Sequence, residues 1–138
     1  MDIVEILNRA TFLNDLKNQG EDVFSSVVTD AVRVAGISRP RLRDAPPNID
    51  LFEDDRERRL CLSWISSGVR IASCLTVRPE DYVGVWEALS SLSGPLNELL
   101  DGVMVMVENE GVRVNRQALL MEIDRLFLSM GDLTKIVL

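Results

Sequence analysis

Apolar residues follow the helical period most clearly at the end of the chain. Over residues 117–138, Leu119, Leu120, Ile123, Leu126, Phe127, Met130, Leu133 and Val137 recur at steps of three and four. That spacing sets a broad apolar stripe on one face of an α-helix, with Glu122, Asp124, Arg125, Ser129 and Asp132 opposite. The same period opens the chain, where Ile3, Ile6, Leu7, Ala10, Leu13 and Leu16 predict a helix over 3–18, interrupted by Gly20. A second helix starts at Glu21 or Asp22, whose carboxylates suit a helix N-terminus. Its apolar face is Val23, Phe24, Val27, Val28, Ala31, Val32 and Ala35, with Gly36 as C-cap and Pro40 preventing continuation. A central helix begins at Arg78-Pro79-Glu80-Asp81 and carries Tyr82, Val85, Trp86, Leu89 and Leu92. Gly94-Pro95 breaks or kinks it, and Leu96, Leu99 and Leu100 form a further turn or two.

Between these helices the pattern alternates. Leu60, Leu62 and Trp64 oppose Cys61, Ser63 and Ile65; Ser66-Ser67-Gly68 reads as a turn; Val69, Ile71, Leu75 and Val77 then oppose Arg70, Ala72, Cys74 and Thr76. With a short strand over 49–52 and a charged turn over 53–59, this predicts an antiparallel meander. Further on, Val103, Val105 and Val107 oppose Met104 and Met106, Glu108-Asn109-Glu110-Gly111 is a hairpin turn, and 112–114 returns. Asn115 then reads as the N-cap of the last helix, which lies on the sheet. The predicted order is α-β-β-β-α-β-β-α, with an additional N-terminal helix: an α+β fold with a twisted antiparallel sheet.

A chain of 138 residues with 46% hydrophobic and 27% charged residues is sized for one folded domain. Residues 21–138 are expected to form it, with 1–20 as an N-terminal helical extension. The net charge of −7 argues against non-specific binding to nucleic acid or anionic membrane. The absence of histidine removes the commonest general base and metal ligand. Cys61 and Cys74 read as small buried hydrophobes, with a disulfide between neighbouring strands as the minor alternative. With no secretory signal and no apolar run of membrane-spanning length, a cytosolic location is expected.

Candidate chemistry is sparse. No glycine-rich phosphate loop, nucleophile elbow or metal-ligand spacing occurs, so neither enzymatic activity, a cofactor nor a metal is expected. Glu53, Asp54 and Asp55, and Glu108 with Glu110, read as solvated turns rather than acid–base pairs. Arg39, Arg41 and Arg43 in the loop over 38–48 are balanced by Asp44 and read as solvated rather than as an anion site. Trp64 and Trp86 are in phase with their apolar faces and fit either the core or an interface. The apolar faces exceed what one core needs, which points to a homodimer or a polypeptide ligand.

Two stretches, LLMEIDRLFLSMGDLTKIVL at the end and VVTDAVRVAGIS over 27–38, resemble the class I chaperones of bacterial type III secretion, closest to the multi-effector chaperones of invasion-type systems. The resemblance implies a homodimer that binds the N-terminal segment of secreted effector proteins and keeps them soluble and competent for a virulence apparatus. By position it implies Val27, Val32, Leu60, Leu62, Met104 and Met106 as effector contacts, and Tyr82, Val85, Trp86 and Leu89 as the dimer interface. The alternatives are a small acidic adaptor or regulator, or an immunity protein, binding a folded partner.

Overall fold

A computed structural model describes residues 9–15, 21–39, 46–78 and 82–135. Among the described residues five helices carry the fold: α1 (Glu21–Ser38), α2 (Asp55–Val77), α3 (Tyr82–Ser91), α4 (Ser93–Gly102) and α5 (Glu110–Leu128). Residues 9–15 are also helical. Short 3-10 turns lie at Ile49–Leu51 and Leu133–Lys135. Among the described residues there is no strand. The expected α+β fold with its twisted antiparallel sheet is therefore replaced by a helical bundle.

The largest correction is α2, where two strands and a turn were expected. The helix starts because Asp54 and Glu57 form a capping box. The Asp54 side chain accepts from Arg56 N at 2.8 Å, and Glu57 Oε1 accepts from Asp54 N at 3.1 Å. From there Glu57, Leu60, Cys61, Ser67 and Ile71 are buried, with Trp64, Cys74 and Leu75 packed at the margin. Those positions have a period near 3.6, and no proline interrupts them. Ser66-Ser67-Gly68 continues the helix. Cys61 and Cys74 thus lie 13 residues apart in one helix, about 20 Å along its axis, which excludes a disulfide between them. By length and composition alone α2 would suffice to cross a membrane, but its inner face is packed against α3, α4 and α5.

The other strand expectations fail in the same way. Residues 49–52 are a 3-10 turn whose N-cap, Asn48, accepts from Asp50 N at 3.0 Å. Residues 103–109 form an irregular connector without a ladder partner among the described residues. Residues 112–114 belong to the first turns of α5, and the N-cap is Asn109, which accepts from Val112 N at 3.1 Å. Asn115 lies inside the helix. The expected break near Gly94-Pro95 falls at Leu92, between α3 and α4. Pro95 then sits in the first turn of α4, where its missing N–H costs no helix bond.

α1 runs along α5, and α2 packs across α3, α4 and α5. Leu60, Leu89, Leu92, Leu96, Leu99, Leu119, Leu120 and Ile123 fill the centre, with Phe24, Val27, Val28, Ala31 and Val34 from α1. Phe24 stacks on Trp86 with centroids 5.8 Å apart. Phe12, from the helical segment over 9–15, reaches Tyr82 and Trp86 at 5.7 and 6.5 Å. After α5 the chain reverses at Gly131, whose φ of 105° favours glycine, and Leu133 and Met130 close the core beneath it.

Candidate functional site

Three consecutive polar residues of α5, Asn115, Arg116 and Gln117, are buried although they immediately precede the apolar run Ala118-Leu119-Leu120. Burying polar groups is costly unless each finds a partner, and each of these holds a different segment. Asn115 pairs with the Asn48 backbone both ways. Asn48 N donates to Asn115 Oδ1 at 2.6 Å, and Asn115 Nδ2 donates to Asn48 O at 3.0 Å. Arg116 Nη2 donates to Glu57 Oε1 at 3.1 Å, and its Nη1 donates to Met104 O at 2.6 Å. Gln117 Nε2 donates to Ile37 O at 3.2 Å. One helical turn thereby fixes the loop before α2, the start of α2, the connector over 103–109 and the end of α1.

A groove of about 400 Å³ opens where residues 46–51 meet the head of α5. Leu51, Val114 and Ala118 give it apolar walls, and Asn48, Asn115 and Glu110 give it donors and acceptors. The hydrogen-bonded Asn48 and Asn115 both line it. Its residues hold neither a nucleophile–base pair nor a metal-ligand set, so the chemistry on offer is recognition of a small group with apolar faces and a polar edge. A second cleft, about 160 Å³ and almost wholly apolar, lies between the 3-10 turn and α2, lined by Ile49, Phe52, Arg58, Cys61, Leu62 and Ile65. Burial pushes the Cys61 thiol up from its ordinary value, which favours the neutral form.

A polar network ties the end of α1 to the other end of α5. Arg39 Nε and Nη2 donate to the two carboxylate oxygens of Asp124 at 3.1 and 3.0 Å, and Nη2 reaches Asp132 at 3.5 Å. The Asp124 hydrogen bond raises the Arg39 pKa. The Thr134 hydroxyl, donating to Asp132 at 2.6 Å, is the main reason the Asp132 carboxyl sits below its ordinary value, with Arg39 adding to it. Arg39 is thus a bridging residue rather than part of a solvated loop; Arg41 and Arg43 lie outside the described residues.

The residues singled out in the sequence do not converge on one surface. Val27 and Leu60 are buried, whereas Val32, Leu62, Met104 and Met106 are exposed on α1, α2 and the connector. Tyr82, Val85, Trp86 and Leu89 are buried within one chain, covered by α1 and by Phe12. Trp86 is a core residue and Trp64 is half-buried at the core margin. Arg116 and Gln117 were missed, and Asn115 was read only as an N-cap. Their signal is a polar triplet directly before the apolar run of α5.

No family model and no solved structure matches the chain. Curated relatives do. The glycine–tRNA ligase beta subunit of Geotalea daltonii is 34% identical over 115 residues, covering 83% of this chain and 16% of that protein. The beta subunit of Citrifermentans bemidjiense is 30% identical over 135 residues, covering 98% of this chain and 19% of that protein. That of Syntrophomonas wolfei is 29% identical over 136 residues. The chain therefore spans less than a fifth of the length of the relatives it matches. These similarities overturn the secretion-chaperone reading, together with its effector and virulence context, and they give no support to the adaptor or immunity alternatives. The resemblance to the chaperones rested on amphipathic periodicity and on a sheet that is absent from the described residues.

Proposed function

We propose that this chain acts as a helical binding module of a glycine–tRNA ligase beta subunit, contributing tRNA contact rather than bond-making chemistry. The observation that carries the reading is the similarity over nearly all of this chain to one part of those beta subunits. In this reading residues 21–138 are the folded unit, 1–20 are an extension of which Phe12 meets Tyr82 and Trp86, and the location is cytosolic.

The groove at the head of α5 supports the RNA side of the proposal. An unstacked base needs apolar contact on its faces and donors or acceptors at its edge. Leu51, Val114 and Ala118 supply the first, and Asn48, Asn115 and Glu110 the second. With a net charge of −7, the chain cannot rely on phosphate attraction, so contact is local and directed at bases.

Fluorescence anisotropy of labelled tRNA tests this. The glycine-accepting tRNA should bind the chain more tightly than a tRNA for another amino acid. Val114→Trp, which fills the groove from a half-buried position, should remove the difference while helicity is retained. Equal binding of all tRNAs, or binding unaffected by Val114→Trp, overturns the assignment.

A further inference from the structure

The outer face of α2 is an apolar surface left without a partner among the described residues. Leu62, Ile65, Val69 and Val77 are exposed, at 66%, 47%, 67% and 77%. At 100° per residue they fall within a sector of about 120°, shared by Ser66, Ser73 and Thr76 and, in the first turns, by Asp55, Arg58 and Arg59. From Arg58 to Val77 the helix carries no carboxylate, in a protein of net charge −7. The face ends on the apolar cleft beside Cys61, and Ile49, also exposed, extends it onto the 3-10 turn. A continuous apolar face of this kind marks an interaction site rather than ordinary surface.

We infer that this face docks the body of a glycine–tRNA ligase beta subunit, meeting it through an apolar helix stripe; the inference rests on the function proposed above. Three observations choose this occupant. The matched relatives carry more than four fifths of their length beyond the region similar to this chain, and that region must border the remainder. The small residues Ser66, Ser73 and Thr76 between the apolar ones let another helix approach closely. The cleft of about 160 Å³ accepts one large apolar side chain, and the stripe itself offers no aromatic to fill it. A second copy of the chain is therefore a poor match, whereas a different partner can supply the anchor.

The test uses the double variant Leu62→Glu/Val69→Glu. Both positions are exposed, so helicity and Tm should be unchanged. The chain is mixed with a purified glycine–tRNA ligase beta subunit from which the region similar to this chain has been removed, and run on size exclusion with light scattering. Wild type should co-elute with the ligase, and the variant should elute alone with at least a tenfold loss of affinity. Co-elution of the variant, or failure of wild type to co-elute, overturns the inference. So does a wild-type mass of two copies that the variant halves, or flotation of wild type with phosphatidylcholine–phosphatidylglycerol vesicles. tRNA anisotropy on the same variant separates the two proposals. Retained tRNA selectivity with no ligase docking fails this inference alone, whereas absent selectivity in wild type fails the groove reading.

Discussion

Arg116 and Glu57 stand 59 residues apart and meet at 3.1 Å in the interior, with Glu57 wholly buried. The carboxylate also accepts from Glu53 N and Asp54 N, and the guanidinium holds the Met104 carbonyl. One ion pair thus joins the start of α2, the connector over 103–109 and the middle of α5.

Removing one partner leaves the other charge buried and uncompensated, which costs ~3–5 kcal/mol. Glu57→Ala and Arg116→Ala are each expected to lower urea-unfolding stability by that order. The double variant should cost less than the sum of the two, because the second change removes the stranded charge. Additive losses would show that the two groups are not coupled in solution.

Trp86 is held between Phe24 and Phe12. Trp86→Ala leaves a large cavity in the core and is expected to cost ~3–5 kcal/mol. Phe12→Ala should cost less, since Phe12 packs on the outside of the aromatic cluster and is only partly buried. If Phe12→Ala leaves both the melting curve and the tryptophan emission unchanged, the segment over 9–15 does not pack on the core in solution.

The legibility of the fold follows from how one-sided each helix is. α1, α3 and the apolar part of α5 carry a single stripe with polar residues opposite, so their period shows in the sequence. α2 does not, because Leu62, Ile65 and Val69 make its outer face apolar as well. Over 60–65 almost every position is apolar, and a six-residue window then reads as alternation. The Asp54-x-x-Glu57 spacing and the lack of a proline up to Val77 were the signals for one long helix. The Val103–Met106 alternation misled for a different reason: the backbone there is fixed by Arg116, which is distant in sequence. The groove was not legible, since it is made by Asn48 and Asn115 meeting across 67 residues.

Acid should weaken the junction of α1 and α5. The Asp132 carboxyl is held below its ordinary value in the folded chain, so its ionised form contributes stability that is present above the unfolded range and lost as pH falls through the folded value. The loss begins below about pH 4. Asp132 is partly exposed, so the effect is modest. Asp132→Asn should flatten the acid limb of a Tm-against-pH curve, lowering Tm at neutral and alkaline pH while leaving it nearly unchanged at pH 3. An unchanged acid limb would place the titration elsewhere.

The thiols should behave differently from each other. Cys61 is buried and its pKa is raised, so little thiolate forms near neutral pH, whereas Cys74 is only partly buried. A disulfide-exchange reagent such as DTNB is expected to label one thiol promptly and the second only on unfolding, and Cys74→Ser should abolish the prompt phase. Equal prompt labelling of both would mean that the cleft at Cys61 opens in solution.

The salt dependence of tRNA binding discriminates between recognition at the groove and general attraction. Each neutralised phosphate adds about 0.7–0.9 to the slope of log K against log salt. Most arginines with described contacts are engaged within the chain: Arg33 with Asp101, Arg39 with Asp124, Arg59 with Glu98, Arg70 with Glu87 and Arg116 with Glu57. Among the described residues few remain to meet a backbone, and the net charge of −7 repels it. The slope for the isolated chain should therefore be shallow, of magnitude below about 3. A single-base change at the contacted position should weaken binding about tenfold or more, the scale of one well-made base contact. A steep slope with no base preference would assign the binding to charge and remove the groove from it.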